Sequence, residues 1–251
     1  MLFRSTIETR ERIEWDSREQ AVIARRERWL GALCLAEQRL DRPDAVRVNA
    51  AVISGIRELG LASLPWSREA RALQARMEFA RRVEPNADPP WPEVSDDALL
   101  DRLDEWLAPW LDGITRRDHF ARLDLHAALS ALLDWNRQQR LNEIAPTHLV
   151  VPSGSRIPID YSGDQPTVAV RLQELFGMRE TPTVASGRVP LTLHLLSPAH
   201  RPVQVTQDLV SFWSRGYPEV KKELKGRYPK HYWPDDPLTA TPTARAKPRN
   251  H

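Results

Sequence analysis

The residues best suited to chemistry lie near the end of the chain, in KKELKGRYPKHYWPDDP, residues 221–237. Lys221, Lys222, Lys225, Arg227 and Lys230 alternate there with Tyr228, His231, Tyr232 and Trp233. Cations neutralise phosphates and aromatic faces stack on unpaired bases. This mixture in one short segment therefore fits contact with single-stranded nucleic acid. The same residues allow a plainer reading, in which the aromatics anchor the segment on its own domain and the lysines are solvated. Arg156 and Arg188, each beside a Ser–Gly turn, would extend a basic face if the fold brought them close.

Other chemistries find less support. Ser153 and Ser155 flank Gly154, but PSGSR lacks the GxSxG spacing of a nucleophile elbow and reads as a tight strand-to-strand turn. The seven histidines never fall at the i, i+4 spacing of a helical zinc pair, and there is one cysteine, Cys34. A phosphate-binding loop needs GxxxxGK followed by Ser or Thr. The only Gly–Lys neighbours here, Lys225–Gly226, are in the wrong order, so the chain by itself is not expected to hydrolyse ATP. The carboxylates between 93 and 112 supply either paired acids or, more simply, a solvated helix face.

These groups sit in a chain of 251 residues, 41% hydrophobic and 28% charged. That composition excludes a collagen, a coiled-coil rod and a cysteine framework. No apolar run approaches the ~18 residues a membrane helix needs, so no membrane is expected as a partner. A lone cysteine and the absence of a long apolar leader fit a cytoplasmic protein. The formal net charge of +2 is a cancellation. Residues 85–115 hold eight acids against one base, and residues 221–251 hold eight bases against three acids.

The pattern predicts an α+β chain. Ile7 to Trp15, Ala21 to Arg28 and Trp29 to Leu35 read as strands, the first two joined by a turn at Asp16–Ser17. Two or three strands make no stable domain alone, so residues 1–40 read as the last strands of an OB-like fold or a sheet completed elsewhere. Residues 41–145 read as helical. Val48, Val52, Ile56 and Leu59 share a face that Gly60 ends, and Ser67 and Ser95 are placed to cap the next two helices. The third runs through Leu99, Leu103, Trp106 and Trp110 to Gly113; a fourth runs from Leu125 to about Arg140. Residues 146–235 read as a small α+β domain. It has strands at Leu149–Val151, Arg156–Tyr161 and Val189–Leu195, and a short helix from Val168 to Phe176. Further helices begin after Thr206 and at Pro218. Residues 236–251 read as a disordered tail rich in Pro, Thr and Ala.

The run HLVVPSGSRIPIDY, followed by VAVRLQELFGMRETPTVASGRVPLTLHLLSPAHRPVQVTQDLVSFW and YPEVKKELKGRYPKHYWPDDP, resembles the C-terminal region of the bacterial HrpB family of DEAH-box ATP-dependent RNA helicases. The resemblance is dense from about Pro146 to Pro237. It continues more loosely upstream, where Ile13–Asp16 and Gly31–Leu33 look like the last strands of the family's OB-fold. Gly55–Arg57, Gly60–Leu61, Leu64–Trp66 and Leu132–Trp135 also fit the family pattern. The resemblance implies two RecA-like motor domains, with ATP and magnesium bound there and no cofactor in this chain. None of the motor motifs is present, so no catalytic residue carries over. The chain is thus expected to be a C-terminal portion of such a helicase: a fragment, a split gene product or a truncated reading frame. Its implied role is accessory, contacting RNA or another single strand, or regulating the RecA-like core in cis or trans. The alternative is a protein-interaction module that docks on the motor domains or on a partner protein.

Overall fold

The computed structural model describes residues 7–244. Strands β1 (Ile7–Asp16), β2 (Ala21–Leu30) and β3 (Leu33–Arg39) come first, then helices α1 (Ala45–Leu59), α2 (Arg68–Val83), α3 (Asp96–Asp101), α4 (Leu103–Trp106), α5 (Leu125–Ser130) and α6 (Trp135–Ile144). The second half adds β4 (His148–Val150), β5 (Arg156–Pro158), β6 (Thr167–Arg171), β7 (Thr183–Val184), β8 (Val189–Pro190), β9 (Thr192–Leu196) and β10 (Pro202–Thr206). Helices α7 (Leu209–Ser211) and α8 (Tyr217–Arg227) close it. The class is mixed α+β, as expected. The chain divides into two compact units, Met1–Gln74 with Pro92–Asp134, and Ala75–Trp91 with Trp135–His251. The division therefore falls inside α2, whereas the sequence suggested breaks after residues 40 and 145.

In the first unit β1, β2 and β3 form an antiparallel meander in which Ile13 lies opposite Ala24 and Trp15 opposite Val22. Asp16 closes the first turn by accepting the Arg18 and Glu19 amides. The second turn uses Gly31 at φ +60°, a conformation that favours glycine. The Trp15 indole lies on the backbone of α1 at Gly55, where a methyl group would overlap the ring. Val52 and Ile56 of α1 are fully buried. Asp44 caps α1 by accepting the Arg47 amide, and Gly60 ends it. Ser67 and Ser95 cap α2 and α3 as their positions predict, accepting from the Ala70 and Ala98 amides.

The expected third helix is broken. Between α3 and α4 Arg102 leaves helical geometry, and after Leu107 the chain tightens into a 3₁₀ turn at Ala108–Trp110. Pro109 cannot donate to a continuing helix. The expected fourth helix is likewise split into α5 and α6.

In the second unit a three-stranded sheet has the order β10–β9–β6, with β6 parallel to β9. The sequence reading of Val168–Phe176 as a helix is corrected here: Thr167–Arg171 is strand β6, followed by a 3₁₀ turn at Leu172–Glu174. Val168 and Val170 are buried and Ala169 between them is exposed, which is strand alternation. A short apolar run bounded by turns does not distinguish the two by period. The helix after Thr206 starts instead on Asp208, whose side chain accepts the Ser211 amide. A π-helical turn at Phe212–Gly216 joins α7 to α8.

Phe176, Trp213 and Tyr217 form a ring cluster with centroids 5.6–6.3 Å apart. Arg76 of α2 is buried and donates to groups at the end of α6, the Ala145 carbonyl at 2.6 Å and Asn142 Oδ1 at 2.7 Å. Burial lowers its pKa from the usual guanidinium value.

Residues 236–244, expected to be disordered, are tied to this unit. The Gly177 amide donates to the Pro237 carbonyl, and the Thr243 amide to the Gln173 carbonyl. Residues 245–251 of the expected tail lie outside the described residues.

Candidate nucleic-acid interface

The basic segment begins on α8. Pro218 sits in its first turn, where a missing amide costs nothing. Tyr217 and Leu224 are buried, which turns Lys222, Lys225 and Arg227 outward. Lys221 is only 18% exposed, and its Nζ lies 2.5 Å from Asp235. That hydrogen bond and the lysine's charge hold the Asp235 carboxyl below its usual range. Arg227 pairs with Glu223 one turn back, at 3.4 Å.

After α8 the chain folds back on its own unit. The Tyr228 amide donates to the Leu224 carbonyl, and the buried Trp233 donates from Nε1 to the Tyr228 carbonyl at 3.0 Å. The Tyr217 hydroxyl donates to the Pro234 carbonyl at 2.9 Å. His231 Nδ1 lies 3.4 Å from Gln173 Nε2, and its ring meets Tyr228 edge-on.

The aromatics thus divide. Trp233 and the half-buried Tyr228 and His231 hold the segment down, while Tyr232 stays 42% exposed beside Lys230. Lys222, Lys225, Arg227 and Lys230 remain exposed, as does Tyr232.

Arg156 is exposed on β5. Arg188 spends its guanidinium elsewhere: Nε donates to the Ala185 carbonyl at 2.8 Å and Nη1 to the Val83 carbonyl at 3.0 Å, with Nη2 3.4 Å from Glu84. Glu84 also takes Arg140 and the Trp91 indole N–H, and its pKa is lowered mainly by the Arg140 hydrogen bond. Arg188 therefore belongs to a structural network around Glu84.

Ser153 and Ser155 do sit on a tight turn, with Gly154 at φ +84°. The residue that organises it is Glu174, which sequence reasoning missed. It is 3% exposed, and it accepts Ser153 Oγ at 2.9 Å and Arg171 Nε at 2.8 Å. Burial pushes its pKa up, but hydrogen bonds from Ser155, Arg171 and Ser153 outweigh burial and leave it below the usual value. These serines buttress a buried carboxylate, and the bonds they make satisfy a charge rather than activate a nucleophile. The nearest sequence signal was the Ser-x-Ser spacing, which cannot show what lies 20 residues away.

Among the described residues no group of three or more His, Cys, Asp and Glu side chains could hold a metal ion. The sequence contains no GxxxxGK run followed by Ser or Thr.

The family model for the C-terminal region of HrpB, described as "ATP-dependent helicase C-terminal", matches residues 106–237. The chain belongs to the HrpB helicase family. A second HrpB model, described as the connector region, matches residues 6–40, the stretch expected to resemble an OB-fold. The chain is 47% identical to the ATP-dependent RNA helicase HrpB of Escherichia coli K12 over 94% of its own length, which is 29% of that protein. It also superposes on two crystal structures of E. coli HrpB. The one titled a DExH-box NTPase gives a TM-score of 0.78 at 45% identity, covering 95% of this chain and 30% of that one. The one titled a DEAH/RHA helicase gives 0.68 at 42% identity, covering 93% and 30%. The chain thus spans under a third of the HrpB relatives it matches.

Proposed function

We propose that this chain is an accessory, non-catalytic region of an HrpB-type ATP-dependent RNA helicase and that it contacts RNA through the outward face of α8 and the segment after it. The supporting observation is the geometry of that face. Lys222, Lys225 and Lys230 are exposed, as is Tyr232, and the Trp233 and Tyr217 hydrogen bonds tie the segment after α8 to its unit. Exposed cations suit contact with a phosphate backbone, and an exposed aromatic ring suits stacking on a base. On this reading ATP and magnesium act in RecA-like motor domains of the parent protein, in the cytoplasm, with RNA and that core as partners.

Binding of an unstructured RNA across a salt series tests the proposal. Affinity should fall steeply as salt rises, and K222A/K225A/K230A should weaken it. An absence of binding at low salt would overturn it. A second reading, docking on the motor domains, draws on the exposed carboxylates Asp97, Asp101, Glu105 and Asp112. Tight, salt-sensitive capture of a separately made motor half, with no RNA binding, would favour that reading.

A further inference from the structure

The second unit gathers cations from three separate loops at one end of its three-stranded sheet. Strands β6 and β9 run parallel and end level, with Arg171 opposite Leu196. The 3₁₀ turn at Leu172–Glu174 and the β9–β10 turn at 197–201 therefore leave the sheet side by side. In α/β sheets ligands collect outside the carboxyl ends of the parallel strands. The segment after α8 is fastened to both turns. Ser197 is 1% exposed, and its Oγ lies 3.3 Å from the Tyr228 hydroxyl. The same oxygen accepts the Arg201 amide at 3.2 Å. His231 meets Gln173 of the 3₁₀ turn. The β4–β5 turn is held on that 3₁₀ turn as well, because the Ser153 amide donates to the Glu174 carbonyl at 3.3 Å.

Residues 152–158, 197–202 and 228–234 thus meet at this end of the sheet. Together they hold Arg156, Arg201 and Lys230 and no Asp or Glu. All three cations are exposed, and they make no ion pair among the described residues. The carboxylates that border the loops are engaged already. Arg171 pairs with Glu174 and Lys221 with Asp235, while Asp236 accepts from the Leu238 amide and the Thr239 hydroxyl. Cations gathered without carboxylates attract a ligand that carries several negative charges, and guanidinium forks hold phosphate oxygens in bidentate fashion. Tyr232, exposed in the third loop, adds a ring that can stack on an unpaired base.

We infer that these three loops form one binding surface for the phosphates of single-stranded RNA, with Arg156, Arg201 and Lys230 as its contacts. The inference rests on the nucleic-acid reading above and deepens it. It moves the centre of the site from the outward face of α8 to the carboxyl end of the β6–β9 pair, and it assigns a contact to Arg201, which no sequence motif marks.

The test is fluorescence anisotropy of a labelled oligouridylate with the 251-residue chain, between ~50 and ~200 mM salt. In R156A/R201A, binding at low salt should weaken about tenfold, and the slope of log affinity against log salt should shrink by about 1.4, since each phosphate contact on a single strand contributes about 0.7. Neither guanidinium has a partner among the described residues, so the melting temperature should not move. R179A/R215A removes equal charge from exposed positions elsewhere in the unit and should leave affinity nearly unchanged. If it weakens binding as much as R156A/R201A does, the attraction is diffuse and the loop surface is wrong. If K222A/K225A weakens binding while R156A/R201A changes neither affinity nor slope, the loop surface is wrong and the α8 reading stands. If the unaltered chain binds no oligouridylate at low salt, both fall. Capture of a separately made motor half that R156A/R201A abolishes, with RNA binding intact, would make this a protein-docking surface and overturn the inference.

Discussion

The β1–β3 meander and the β10–β9–β6 sheet have three strands each and opposite surroundings. In the first, Glu8, Arg10, Arg12, Glu14, Arg25, Glu27, Glu37 and Arg39 share one face with Ile23 and Trp29, and Glu27 is the one buried strand residue. In the second, Val168, Val170, Leu193 and Leu195 are all buried, and the ring cluster of Phe176, Trp213 and Tyr217 belongs to the same unit. One sheet is held by Trp15 against α1 and Phe120, by backbone bonds from Gln20 and Val22 to residues 115–117, and by ion pairs in water; the other is held by area removed from water. Exposed ion pairs contribute little, whereas burial contributes about 25 cal/mol per Å². The difference teaches where ligand chemistry can reside. The charged sheet leaves Arg39 exposed with no ion pair among the described residues, whereas the one arginine of the buried sheet, Arg171, is paired with Glu174.

Four substitutions break or sharpen that contrast. The largest effect should come from Phe176→Ala, which removes a fully buried ring from the cluster; denaturant unfolding should show a loss of about 3–5 kcal/mol. A loss below about 1 kcal/mol would mean the cluster is not the anchor of its unit. In the meander the sensitive point is the contact between Trp15 and Gly55. Gly55→Ala should cost about 1–3 kcal/mol through overpacking. The roughly 1 kcal/mol gained by replacing glycine within a helix offsets this only in part. A raised melting temperature would show that the indole is free to move.

The third prediction concerns pH. Glu174 has a folded pKa below its unfolded value of about 4.3. Its contribution to stability is therefore present in full above that value and is lost as pH falls through the lower folded pKa. Glu174→Gln should be less stable at neutral pH and should show a shallower acid loss, read by unfolding at several pH values. An unchanged acid limb would assign the loss to other carboxylates. The smallest effect belongs to Glu37→Gln, which deletes the ion pair to Arg25 on the exposed face and should change stability by less than ~1 kcal/mol. A larger change would mean that the ion pairs, and not the contact with α1, hold the meander.

Local signals were readable without the structure. The first two strands followed from β-formers set between charges, whereas the strand expected at Trp29–Leu35 is interrupted by the turn at Gly31 and continues as Leu33–Arg39; α1, α2 and α3 followed from Gly60, Ser67 and Ser95, because capping chemistry acts within three or four residues. The helix expected at Val168–Phe176 failed because a buried strand and a buried helix segment share an apolar run. At the candidate interface the cations were legible from composition, but the fate of each ring was not. Trp233 and Tyr232 are adjacent in sequence and differ only in what folds against them.

By itself the sequence determined the α+β class, the family and the charged-residue content of the meander and of the α8 segment, since these depend on residue type and short spacing. Only the tertiary structure decided which charges remain available. Register set Arg12, Arg25 and Arg39 in one row, and chain return brought Asp235 to Lys221 and Glu84 to Arg188. An ion pair forms between groups near in space, and for the last pair the partners lie 104 residues apart along the chain.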